Sequence, residues 1–417
     1  MGISSGLSFD ARDCDGTNCR DDRRQAASDH SGRFGIVGRL ITIAAFAGLL
    51  VASLALSTAT ARADTIRVAT FHTGLARDGP GLLYRDILKG DAQARLVAGI
   101  VAHIAPDILI LQDVDFDHGQ LALGALAGLF ASAGHPMPHH FALQPNAGQA
   151  TGLDMDGDRR SGTPRDAQGY GRFAGQGGMA VLSRFPIDHG ASRDFSALLW
   201  RDLPGADPPT MAGAPFPSAQ AMAIQRLASV AHWQVVVTLP GNQVLSLLTW
   251  HATPPVFDGP EDRNGRRNHD ETALWLSLLE GALGPPPAAP FVVIGNANLD
   301  PVDGDGRNGA LMRLLEDPRL SDPRPSSLGG VAAARSDGGA NLGQSGDPAR
   351  DTADWRDTDG QPGNLRVSFI LPSRDLTVRD SGVFWPAPDD PLRGLLGEED
   401  NAASRHRMVW ADLVTDR

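Results

Sequence analysis

Strand-type and helix-type runs alternate along this chain with no internal repeat, and that alternation limits the fold more than any other feature. TIRVAT (65–70) reads as a strand, Ile87 to Ile104 has helical spacing, and DILIL (107–111) is a short buried strand after Pro106. A second amphipathic helix is expected over Gln120 to Ser132, and strands at 178–183, 232–240 and 243–251. Asn268 with Glu271 three residues on has the form of a capping box, opening a helix to about Leu283. A strand at 291–295 and a helix near Ala310 to Glu316 follow, and strands at 366–372, 376–382 and 407–413 close the chain. Two Gly- and Asp-rich stretches, 145–178 and 323–363, read as loops longer than ordinary connections. Mixed strands with interspersed helices predict one α/β domain over 64–417, built on a mixed sheet or two packed sheets.

The first 63 residues stand apart from this pattern. Leu40 to Leu56 is apolar and uncharged, Arg33 and Arg39 precede it, and Ala61-Arg62-Ala63 has the small-x-small form of a signal peptidase site. Export with cleavage near Ala63 is expected, to a periplasmic or extracellular location. An uncleaved anchor fits less well, because the run is short for a span of about 20 residues. The polar leader is long, and translation from near Val37 gives a signal peptide of normal length. Cys14 and Cys19 both lie in the leader, so the chain from Asp64 has no thiol or disulfide chemistry. No transmembrane segment is expected after Ala63.

The full chain carries a net charge of −12, and the leader holds slightly more Arg than Asp, so the mature part is more acidic still. Strong non-specific binding to duplex nucleic acid rests on neutralising phosphates and is not expected of such a chain. Small phosphoesters, lipid head groups and nucleotides remain open as ligands.

Polar residues cluster where the expected strands end: His72, Asp113 after Gln112, His251, Asn296 with Asn298, and Ser404-Arg405-His406. Strand ends expose side chains in α/β folds and commonly carry the chemistry. In this order, with GMAVLSRFPI (178–187), HATPPVFDGPEDRNGRRNHDE (251–271), NLDPVDGDG (298–306), DTADW (351–355), NLRVSFILPS (364–373) and SGVFWP (381–386), the chain resembles the endonuclease/exonuclease/phosphatase superfamily, in an exported bacterial branch. The resemblance spans nearly all of 65–413. It implies a four-layer α/β sandwich of two packed mixed sheets flanked by helices. It also implies phosphoester hydrolysis assisted by Mg²⁺ or Mn²⁺ on carboxylates, with a histidine at the phosphate and an aspartate activating water.

Measured against that pattern, His251, Asn298 and His406 match, and Asp113 shortens the family's glutamate. Elsewhere His72 replaces an asparagine, while Asn296, Ser368 and Arg405 each replace an aspartate. The family's four carboxylates are thus reduced to Asp113, and Arg405 offsets it. At about 4 Å and an effective dielectric near 20, each unit-charge pair is worth roughly 4 kcal/mol, so ordinary Mg²⁺ affinity should be lost. Asn296 cannot accept a proton from water. The expected result is a degenerate site in a preserved fold, with Arg405 paired to Asp113 in place of the metal. The alternative reading keeps a phosphodiesterase or phosphatase: His72, Asp113 and His251 hold a softer metal such as Zn²⁺, and the Ser368 hydroxyl orients His406.

Arg263, Arg266 and Arg267 follow the His251 strand and suit two roles: gripping substrate phosphates, or pairing in a solvated loop with Glu261, Asp262, Asp270 and Glu271. Asp154-Met155-Asp156-Gly157-Asp158 and Asp303-Gly304-Asp305-Gly306 lack the glycine and closing glutamate of an EF-hand, so they read as solvated acidic turns. His139-His140 reads as surface.

Overall fold

The computed structural model describes residues 64–415, residue 359 excepted; the expected leader, signal peptide, cleavage site and both cysteines lie outside the described residues. The chain opens with strand β1 (Asp64–His72), helices α1 (Leu82–Leu88) and α2 (Ala92–Ile104), strand β2 (Ile108–Val114), helix α3 (Leu121–Ser132) and strands β3 (His139–Phe141), β4 (Gly178–Ser183) and β5 (Ile187–Asp194). A small hairpin, β6 (Thr210–Met211) with β7 (Ala214–Pro215), precedes α4 (Ala219–Ile224), β8 (His232–Thr238) and β9 (Val244–His251). Then come α5 (Arg263–Leu279), β10 (Phe291–Asn296), α6 (Gly309–Leu315) and α7 (Leu328–Asp337). The paired short strands β11 (Ala353–Asp354) and β12 (Asn364–Leu365) lead to β13 (Ser368–Pro372), β14 (Thr377–Val383) and β15 (Val409–Thr415).

Two mixed sheets result, one in the order β14-β15-β1-β2-β4-β3 and one in the order β13-β10-β9-β8-β5. Side chains alternate along a strand, and the burial of β10 shows how this builds layers. Val292 and Ile294 enter one core with Val68 and Ile110 of the first sheet, between the sheets. Phe291 and Val293 face the other way, into a second core with Trp275, Leu278 and Leu311 of α5 and α6. Helices α1, α2 and α3 cover the first sheet with Leu83, Val101 and Phe130. The fold is therefore a four-layer α/β sandwich.

Several elements differ from expectation. The single helix expected over 87–104 is two helices, because Gly90 sits at φ 81° and Asp91 caps α2 by accepting from the Ala94 N–H. Helix α5 begins at Arg263, not at Asn268. The loop expected at 323–363 contains α7, and β5 was missed because its outer residues are polar and exposed. Among the described residues no helix is long and apolar enough to cross a membrane.

Candidate active site at the strand ends

Alternation also decides which polar residues meet. In β9, His251 shares the face of Leu245 and Leu247; in β10, Asn296 shares that of Val292 and Ile294; in β13, Ser368 shares that of Ile370. All three therefore sit at the end of the inter-sheet core. His251 pairs in register with Asn296, which pairs with Ser368, so they form one row across three strands. His72 closes β1 on the facing sheet. His251 and His406 are 8% and 6% exposed, and Asn296 is fully buried.

The three histidines pack as a group. The His72 ring lies 3.9 Å from that of His406, stacked, and 5.0 Å from that of His251, edge-on. Trp355 closes the other side of His406 at 5.3 Å. The Ser404 hydroxyl donates to the His72 carbonyl at 2.7 Å and accepts the His406 N–H at 3.0 Å, which locks the β1 end to the segment before β15. The Nδ1 atoms of His72, His251 and His406 are buried without a partner.

Burial pushes all three imidazoles below their ordinary range. For His251 and His406 the drop is large, and His72 adds to it in each case. Asp113 partly offsets the drop at His72. The rings are therefore neutral at pH 7. Their neutral form contributes stability that is complete above pH 6.5 and is lost as pH falls below it, because the unfolded chain then binds protons that the folded one refuses. His232 behaves alike, pushed down to about 4 in the core. Ring-proton NMR should show no titration of His232, His251 or His406 between pH 8 and 6. Ser368→Asp should bring His406 back toward or above 6.5, by placing a carboxylate in the emptied orienting position. An unmoved His406 in that variant means Ser368 does not face it.

The asparagines are tied to one another. The Asn296 amide donates to Asn298 Oδ1 at 3.1 Å, and the Asn298 N–H donates to Asn296 Oδ1 at 2.9 Å. The Asn298 amide donates to the Ala252 carbonyl at 2.7 Å, beside His251. Asn298 holds φ 50°, a left-handed conformation that asparagine tolerates better than most residues. Ser368 receives support only at its backbone, where its N–H donates to the Thr352 hydroxyl at 3.1 Å. The expected orientation of His406 by the Ser368 hydroxyl is not made, since His406 Nδ1 has no partner.

Asp113 reaches the site through a bulge. The register between β2 and β4 shifts between Gln112 and Val114, and Asp113 adopts φ 57°. A bulge of this kind re-aims a side chain. Gly177 lies so close that a Cβ there would stand 2.7 Å from Asp113 Oδ1. Neighbouring Asp115 was not foreseen: it accepts from the Arg77 N–H at 2.9 Å and the Gly177 N–H at 3.0 Å, and pins two loops beside Asp113. Burial raises its pKa to about 6.

Arg405 corrects one expectation. Its side chain is exposed and makes no ion pair with Asp113. Ser404 and His406 turn inward, so the residue between them turns out; its carbonyl accepts the Asp354 N–H, and its charge acts on Asp354. The ligand atoms of His72, Asp113 and His251 do not converge. Among the described residues only Asp154, Asp156 and Asp158 bring three such ligand atoms within 4.8 Å of one another. That acidic turn is thus tighter than its sequence implied, and Asp154 accepts the Asp156 and Gly157 N–H groups. Asp303 instead accepts from Ser345 and Gly346. His139 and His140 lie half-buried on the edge strand β3.

The arginines after His251 lie on α5, not in a loop. Arg267 is buried and donates to the carbonyls of Leu227, Gln168, Arg226 and Ala228, so it cannot grip a substrate phosphate. Arg266 pairs with Asp207 at 2.5 Å, a partner distant in sequence. Arg263 donates to the Met155 carbonyl. Asn268 and Glu271 are likewise not a cap. Asn268 donates to the carbonyls of Thr253 and Ala297, both at 2.7 Å, and Glu271 accepts from Ser229 and Thr253. Together they fasten α5 to the two loops that follow His251 and Asn296.

The profile of the Endonuclease/Exonuclease/phosphatase family matches residues 74–406. No curated protein matches the chain. Among solved structures, the chain is similar to an endonuclease/exonuclease/phosphatase from Beutenbergia cavernae, at 18% identity and TM-score 0.48, covering 84% of this chain and 72% of that one. It is similar to a family protein from Bacteroides thetaiotaomicron at 13% identity and TM-score 0.46, covering 85% and 100%. It is also similar to sphingomyelinase C from Streptomyces griseocarneus at 15% identity and TM-score 0.42, covering 84% and 99%. With the profile spanning most of its length and the strand-end constellation in place, the chain belongs to the endonuclease/exonuclease/phosphatase family.

Proposed function

We propose that this family member has lost metal-dependent phosphoester hydrolysis at its strand-end centre and binds a small phosphate-containing ligand there. One observation carries this reading: the buried row His251, Asn296, Ser368 holds no carboxylate, and the two asparagines satisfy one another. Hard cations such as Mg²⁺ and Mn²⁺ need oxygen ligands with charge on carboxylates, and Asp113 alone does not supply them. The donor set therefore does not fit the family's metal. Asn296 has no capacity to take a proton from water. What remains is a group of neutral histidines with unused ring nitrogens, suited to accepting a ligand that brings its own negative charge.

A second reading, a hydrolase with an altered metal such as Zn²⁺, draws on His72, Asp113 and His251, since imidazole and carboxylate suit that ion. It requires the rings to move, because their ligand atoms do not converge. Export by a cleaved leader near Ala63 belongs to the proposal, as does preference for a small phosphoester or nucleotide over duplex nucleic acid.

Calorimetric titration of inorganic phosphate in the presence of EDTA tests the ligand. Binding should be seen, and should be lost in His251→Ala. No binding at millimolar phosphate would sink the ligand half of the reading.

A further inference from the structure

A cavity of about 470 Å³ lies apart from the strand-end centre and shares none of its residues. Two phenylalanines, Phe216 and Phe257, stand in its wall with two arginines, Arg165 and Arg263. Its size is that of an ordinary small-molecule site.

Three features make it more than a surface hollow. Phe257 is 74% exposed and held at φ 72°, a conformation that bulky residues rarely adopt. An exposed ring in a disfavoured backbone does little for folding, and such positions gather where ligands bind. Phe216 is seated against the acidic turn, where a Cβ on Gly157 would stand 2.9 Å from its ring.

Among the described residues the two arginines form no ion pair, although other arginines pair repeatedly. Arg263 is half-buried; burial lowers its pKa, nearby acids oppose that, and Arg165 adds to it. Of the five N–H donors of a guanidinium, only one finds an acceptor at Arg263 among the described residues, the Met155 carbonyl.

The remaining wall carries Asp156, Asp258 and Glu261. Three carboxylates repel a polyanion but accept hydrogen bonds from hydroxyl and amino groups. A matching ligand needs a flat ring for the phenylalanines, one anionic group for the arginines, and several donors for the carboxylates.

We propose that this cavity binds a nucleoside monophosphate, with the base against Phe257 and Phe216, the phosphate on Arg165 and Arg263, and the sugar hydroxyls toward the carboxylates. The proposal does not rest on whether the strand-end centre turns over.

Calorimetric titration of the purified protein with AMP, adenosine and ATP tests it. AMP should bind at least tenfold more tightly than either of the others. Phe257→Ala and Arg165→Met change exposed side chains, so the fold should survive, and each should weaken AMP about tenfold, the order expected for losing one stacking face or one phosphate contact. Absence of AMP binding overturns the proposal, and so does AMP binding that both variants leave unchanged. AMP affinity lost in His251→Ala but kept in the two cavity variants places the ligand at the strand-end centre and overturns it as well.

Discussion

Arg267→Met should lose about 3–5 kcal/mol of stability, the range for removing one partner of a buried charged network. The guanidinium is 5% exposed and donates to the carbonyls of Leu227, Gln168, Arg226 and Ala228 at 2.6 to 3.0 Å. Methionine fills the space but removes four charge-assisted hydrogen bonds; the carbonyls of Gln168 and Arg226 keep Gln225 as a donor and that of Ala228 keeps Asn146, while the Leu227 carbonyl loses its side-chain donor. Glu271, one turn along α5 and fully buried, also loses the positive charge that opposes its desolvation. Urea unfolding reads the effect as a lower midpoint at unchanged slope. Arg266→Met is the internal control. Its pair with Asp207 is 23% and 52% exposed, so it should change stability by less than about 1 kcal/mol. Equal losses in the two variants would mean that the Arg267 contacts are not what holds these loops.

Asn296→Asp combined with Ser368→Asp should make stability depend on Mg²⁺ far more than in the natural chain. Both positions are almost fully buried. Two carboxylates there, near Asp113, repel one another and are desolvated, so the metal-free variant should be less stable by several kcal/mol, on the scale of an unpaired buried charge. A divalent cation binding only the folded form restores stability by mass action, about 2.7 kcal/mol at a hundredfold excess over Kd. The shift in Tm on adding Mg²⁺ is read against the natural chain, which controls for the acidic turn at Asp154, Asp156 and Asp158. A variant as insensitive to Mg²⁺ as the natural chain would show that the carboxylates alone do not define the metal position.

Much of this architecture is legible in the sequence, for a physical reason. β4, β9 and β10 have apolar residues on both faces and were read to within a residue of their observed limits. Strands with one exposed polar face, such as β5, gave no comparable signal. His72, His251, Asn296 and His406 follow from strand ends, where a terminal side chain meets the rim of the core, whereas Ser368 follows only from the family resemblance. His72, His251, Asn296, Ser368 and His406 do meet there.

The failures were of direction and partner. Arg405 lies between two inward residues, and nothing in residue type marks it as the one that turns out. Asn268 and Glu271 have the residue types and spacing of a helix cap, yet they sit inside α5 because the same side chains bind backbone groups of other loops equally well. The bulge at Asp113 and the staple at Asp115 depend on the register between β2 and β4 and on loops near Gly177, none of which local patterning reveals.

The central claim is that the natural centre does not hydrolyse phosphoesters with a divalent metal. The most direct measurement is hydrolysis of a generic phosphodiester by the purified natural protein with Mg²⁺, Mn²⁺ and Zn²⁺ in turn, beside the Asn296→Asp, Ser368→Asp variant. The account predicts no turnover above background for the natural protein with any of the three, and metal-dependent turnover in the variant. Turnover by the natural protein that His251→Ala abolishes would contradict it.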